Sequence, residues 1–163
     1  MASFDIVSKI NQQEVKNAID QVKREITTRY DFKDTDSIIE LKGQNEIFIE
    51  SATHERLNAL FQVLQEKLIK RSISLKVLDP KAIEDASKSR AKQTINLKSG
   101  IDKDTSKIII SKIKELGFKQ LTTSFQSDLI RVTGKKRDEL QSVISALKDS
   151  DLSIPLQFEN FRE

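Results

Sequence analysis

The chain has no cysteine, which excludes a disulfide framework, a thiolate metal site and a cysteine nucleophile, and points to a reducing compartment. No stretch approaches the roughly 20 consecutive apolar residues of a membrane span. The N-terminal run Met1-Ala2-Ser3-Phe4-Asp5-Ile6 lacks the basic and apolar regions of a secretory signal, so the expectation is a cytoplasmic protein without a membrane partner. Also missing are the G-x-x-x-x-G-K-[ST] phosphate loop, a dinucleotide glycine fingerprint and the aromatic-rich signature of RRM domains. There is one histidine, His54. It sits near a helix start with no proton-transfer or metal partner beside it, and it reads as a capping or surface residue. Carboxylates are scattered among lysines on helix faces, as solvated surfaces require. The expectation is therefore a binding protein, with no enzyme activity, metal or cofactor.

What is present is a polar but patterned chain. Its 163 residues are 37% hydrophobic and 33% charged, and the apolar positions recur too regularly for disorder. That length suits one ordinary domain or two compact ones. The net charge of +3 is unevenly placed. Residues 1–90 carry 15 basic and 15 acidic side chains, residues 91–163 carry 13 and 10, so a phosphate-seeking surface is expected in the second half.

Phe4 and Ile6 alternate like a strand. Asn11, three residues before Glu14, has the spacing of a capping box, and Val15, Ala18, Ile19, Val22 and Ile26 then form a helical stripe. Two short strands follow, Ser37–Leu41 and Glu46–Ser51, turned at Gly43-Gln44-Asn45. A helix with Leu57, Leu60, Phe61, Leu64 and Leu68 comes next, then a strand at Ile73, Leu75 and Val77. Residues 79–90 are polar and read as a connector. The pattern then restarts: a strand at Ile95 and Leu97, a helix with Ile109, Ile113 and Leu116 ended by Gly117, and a hairpin of Leu121–Phe125 and Leu129–Thr133. A helix with Leu140, Val143, Ile144 and Leu147 and a strand at Ile154, Leu156 and Phe158 complete it.

Both halves thus read βαββαβ, the ferredoxin-like order. The expected fold is α+β, two such domains in tandem, 1–90 and 91–163. An offset of 83 carries Ile47 and Ile49 onto Ile130 and Val132, and Leu57, Leu60, Phe61 and Leu64 onto Leu140, Val143, Ile144 and Leu147. Six coincident apolar positions favour duplication over chance.

The sharpest candidate for chemistry is Gly134-Lys135-Lys136-Arg137, between a strand and a helix start. Cations there oppose the helix dipole, and an anion held by the free amides would relieve them; the competing reading is a solvated loop neutralised by Asp138 and Glu139. Strand alternation turns Asn96, Lys98, Arg131 and Thr133 away from the core, a polar and basic face, and exposes Glu46, Phe48 and Glu50 in the first half. Phe161, beside Arg162, is a candidate for base stacking, and Phe158 a core residue. The phosphate-binding candidates are accordingly Lys98, Arg131, Lys135, Lys136 and Arg137, and the ligand a nucleotide or nucleic acid. The rival is an adaptor that buries a protein partner on its open sheet faces.

Several stretches resemble the YajQ family of bacterial nucleotide-binding proteins: SFDIVS from Ser3, RYDFK from Arg29, LKSGI from Leu97, IRVTGKKRDELQ from Ile130 and QFENFR from Gln157. The resemblance spans the whole chain. It implies tandem RNP-like domains that bind RNA or nucleotides, cyclic di-GMP in some members, and an exchange of N-terminal strands, so that strand 3–8 completes the second sheet and strand 91–98 the first. It adds Lys33 of the RYDFK stretch to the phosphate candidates, although the adjacent Asp34 opposes that role. The family pattern has glycine where this chain has Ser72 and Ser127, and in some members at Asp34; beside strands, the two serines are expected to matter little.

Overall fold

The structure, a computed structural model, describes residues 1–163. In chain order the elements are β1 (Ala2–Val7), α1 (Gln12–Thr28), β2 (Ile38–Lys42), β3 (Glu46–Ser51), α2 (His54–Lys70), β4 (Leu78–Pro80), β5 (Glu84–Ala86), β6 (Arg90–Leu97), α3 (Lys103–Lys114), β7 (Thr122–Gln126), β8 (Leu129–Gly134), α4 (Arg137–Lys148) and β9 (Gln157–Arg162). They form two antiparallel sheets, one ordered β7-β8-β1-β9 and the other β2-β3-β6-β4, with β5 also on β6. Both are ferredoxin-like, the α+β fold that the element order predicts.

The chain divides into two compact units, Ile10–Lys98, and Met1–Lys9 with Ser99–Glu163. In the second of these, β1, α3, β7, β8, α4 and β9 follow one another in the expected order. In Ile10–Lys98 the place of the first strand is taken by β6, the last strand of the unit, which pairs with β3 and β4. Relative to a cut at residue 90, each sheet is completed by a strand from across it, β1 in one and β6 in the other.

The stripes read from the sequence are the cores. Val15, Ala18, Ile19 and Val22 of α1 pack with Leu57, Leu60 and Leu64 of α2 and with Ile47, Ile49 and Ile95 of the sheet. Phe4, Ile6, Ile130 and Val132 pack with Ile109, Leu140, Val143 and Leu147. Asn11 caps α1 by accepting from the Glu14 amide, as its spacing requires. The offset of 83 holds for whole elements: it carries both ends of β3 onto those of β8, and the first residue of α2 onto that of α4.

Three element assignments need correction. The strand expected at 73–77 is a 3₁₀ turn, Leu75–Val77, and the pairing residues are Leu78–Pro80. The connector expected over 79–90 carries most of β4 and all of β5. β4 and β5 lie along one side of β6, with the Lys81 amide donating to the Thr94 carbonyl between them. An edge strand buries little, so it need not show the apolar alternation by which strands are recognised. The last strand runs over 157–162 instead of 154–158; Ile154 is buried ahead of it.

Ser72 and Ser127 adopt left-handed backbone, φ 62° and 60°, a region that costs a residue with a Cβ about 1–2 kcal/mol. The two serines therefore matter more than their place beside strands suggests. Ser72→Gly and Ser127→Gly should each stabilise by about 0.5–1 kcal/mol, the relieved strain exceeding glycine's greater unfolded entropy. Urea titration should show a higher midpoint with an unchanged slope.

Candidate functional site

The site begins with three adjacent strands, β8, β1 and β9. Phe4 and Ile6 of β1 point into the core, so Asp5 takes the opposite face, where register sets it against Arg131. The Arg131 guanidinium donates twice to the Asp5 carboxylate, Nε at 2.9 Å and Nη2 at 3.2 Å. The Asn160 amide donates a third bond, at 2.8 Å. The Arg131 bonds hold the Asp5 carboxyl below the usual carboxylate range against the opposing effect of burial, with further help from Asn160 and the charge of Arg162. Three of the sequence stretches that carry the family resemblance meet here, through Asp5, Arg131 and Asn160.

Asn160 has φ 57°, and pairing along β9 slips by one residue there: Asp5 faces Glu159, while Ser3 faces Arg162. This is a β-bulge, and asparagine is among the few residues that tolerate left-handed backbone. Its effect is to bring two aromatic rings three residues apart onto one side. Phe158 meets Phe4 edge-on at 6.0 Å, and Phe161 stacks on Phe4 at 5.9 Å. Phe158 is half-buried against the core, whereas Phe161 remains 61% exposed.

Phe161 and Arg162 line a cavity of about 240 Å³ whose other wall is α4, through Arg137, Leu140, Gln141 and Ile144. The first turn of α4 differs from those of the other helices. Asn11, Thr53 and Asp102 cap α1, α2 and α3 with side-chain oxygens; α4 has Lys136 at that position and no side-chain cap. Its leading amides therefore lack a side-chain acceptor, and Lys135, Lys136 and Arg137 are exposed beside them. Arg137 meets the carboxylate of Glu163. Gly134 is a packing glycine here: a Cβ would lie 2.5 Å from Leu121 and 3.5 Å from Leu140.

The sequence candidates separate. Lys135, Lys136, Arg137 and Phe161 gather at or beside the cavity. Arg131 belongs to the same unit but is committed to Asp5. Lys98 lies in the other unit, where its amide bonds the Val77 carbonyl and its charge adds to the effect of Lys81, which lowers the Asp79 carboxyl through a 2.7 Å bond. Lys33 is exposed in the loop after α1, also in that unit. His54 meets Asp85 at 3.0 Å, both exposed. Two contributors are not read from the sequence, Gln141 and Arg162 as cavity walls; the basic residue beside the terminal aromatic is the available signal.

The sequence model of the family described as nucleotide-binding protein, YajQ-like, matches residues 2–162. A relative from Saccharopolyspora erythraea is 48% identical over 98% of both chains, and one from Mycobacterium tuberculosis is 46% identical over 99% of this chain and 98% of its own. A third, from Anaeromyxobacter dehalogenans, is 42% identical over the full length of both. Each is named a nucleotide-binding protein. No helix here is long and apolar enough to cross a membrane. On these matches, and on the convergence of its signature stretches at Asp5, the chain belongs to the YajQ-like family.

Proposed function

We propose that this protein binds nucleotides or nucleic acid without transforming them, and that the cavity between β9 and α4 is where it does so. The observation that carries the proposal is the placement of an exposed aromatic, Phe161, and a cationic residue, Arg137, at one cavity beside an uncapped helix start. Arg137 with Lys135 and Lys136 supplies charge for a phosphate, the α4 amides supply donors, and Phe161 supplies a stacking surface. At about 240 Å³ the cavity is below the roughly 300–1,000 Å³ that enclose whole small ligands. It suits one nucleotide unit of a larger ligand, a short RNA or a cyclic dinucleotide such as cyclic di-GMP.

Titrating a labelled short RNA and cyclic di-GMP against the chain at increasing salt tests this reading. Affinity should fall with a log–log slope of about 0.7 for each phosphate contact to a single strand. Salt-insensitive binding, or none, would sink the phosphate reading in favour of a protein adaptor.

A further inference from the structure

The unit Ile10–Lys98 carries its own cavity, larger than the first at about 580 Å³, lined by residues 26–30 and 32–37. We propose that it is a second binding site, for an uncharged nucleoside or nucleobase taken up by its ring face and its N–H donors. This inference does not depend on the phosphate site above.

The walls are fixed before any ligand arrives. Arg29 is clamped to Asp31 at 2.7 Å and Glu25 at 3.2 Å, and lies over the Phe32 ring at 5.3 Å. Arg90, from β6, donates to the carbonyls of Thr35 and Asp36 at 2.9 and 2.6 Å while its Nε bonds Glu50. The hydroxyls of Thr35, Ser37 and Ser51 form a chain with spacings of 2.7 and 2.8 Å. The loop so held includes two left-handed residues, Asp34 at φ 61° and Asp36 at φ 46°. Such conformations persist only where their surroundings over-determine them.

What the rigid frame presents decides the ligand. Tyr30 stands 88% exposed at the cavity, a ring free to stack. Arg29 is neutralised, and no protein group bonds the side chains of Lys33, Asp34 or Asp36, so the unpaired charges sum to minus one, which disfavours a phosphate. The two carboxylates accept hydrogen bonds only. They favour a base edge that bears an exocyclic amino group and repel one, as in uracil, whose single N–H lies between two carbonyl oxygens. Thr27 and Thr28, whose hydroxyls donate to their own helix, keep acceptor capacity for a ribose.

The test uses the full-length, isotope-labelled chain titrated with cytidine, adenosine, guanosine and uridine, followed by amide shifts. Shifts should concentrate at residues 26–37 for the three amine-bearing nucleosides, respond little to salt, and be weakest for uridine. Tyr30→Ala, exposed and so harmless to the fold, should weaken binding about fivefold or more. Asp34→Asn with Asp36→Asn should erase the discrimination against uridine; asparagine keeps the left-handed backbone. Arg137→Ala should change nothing here. No shifts at 26–37 with any nucleoside, or binding indifferent to Tyr30→Ala, would overturn the site. Uridine binding as well as the others would overturn the base-edge assignment.

Discussion

Asp5→Asn should destabilise the protein by about 2 kcal/mol at neutral pH, roughly 4–8 °C in Tm. The Asp5 side chain is 6% exposed and bonded by both Arg131 and Asn160. Replacing the carboxylate removes charge-assisted bonds and sets an amide donor among donors. A cost nearer the roughly 3–5 kcal/mol of a fully buried broken pair is not expected, because Arg131 is 34% exposed and water can reach it. The pH dependence has a definite sign. The folded-state pKa of Asp5 is lowered, so its stabilisation is fully present above the unfolded value, about 3.9, and is lost as pH falls through the folded one. The gap between wild type and Asp5→Asn should therefore be widest at neutral pH and close in acid, below about pH 4. A gap that is constant with pH would show that the carboxylate charge is not what stabilises this strand trio. Calorimetry across pH makes the comparison.

The same three strands show where sequence reasoning reaches and where it stops. Phe4, Ile6, Ile130 and Val132 are legible as core because strand alternation leaves them one apolar face, and the offset of 83 is legible because duplication preserves such faces. The same alternation correctly turns Arg131 outward. Its partner is not visible in the sequence, since Asp5 lies 126 residues away and only register brings the two together. The bulge at Asn160 is invisible for a related reason: a one-residue slip is decided by which backbone groups pair, and asparagine is too common to announce it. Without the slip, Phe161 would lie on the opposite side from Phe158, away from α4. At Ser72 and Ser127 the left-handed backbone is likewise hidden in the sequence, since serine does not announce a positive φ as glycine does.

In the loop 26–37, the local charge is set by several neighbouring residues together. The sequence offers Lys33 as a phosphate candidate with Asp34 opposing it; Asp36 lines the same cavity as both and adds a second negative charge. At α4, Asp138 and Glu139 follow the basic run and suggest that it is neutralised. The structure keeps Asp138 and Glu139 in the first turn and leaves Lys136 in the capping position without a side-chain acceptor, so the proposed phosphate site rests on the α4 amides as well as on the cations.

That placement gives the second large effect. The double change Lys135→Ala with Arg137→Ala should lower affinity for a short RNA or cyclic dinucleotide by about tenfold or more, since bonds to charged groups are each worth roughly 1.5–3 kcal/mol. The salt slope should fall by about 0.7 for every single-strand phosphate that the variant no longer neutralises. Stability should be unchanged or slightly higher. Cations at a helix N-terminus oppose its dipole, and the pairing of Arg137 with Glu163, both well exposed, contributes little. Lys16 and Lys23, exposed on α1, provide the control: changing both to Ala removes the same charge from the other unit. If the α1 pair loses as much affinity as the α4 pair, net charge is the cause and the cavity beside Phe161 is not the site. If the α4 pair alone loses affinity while its Tm holds, the phosphate sits where the uncapped helix and the Asn160 bulge have placed its partners.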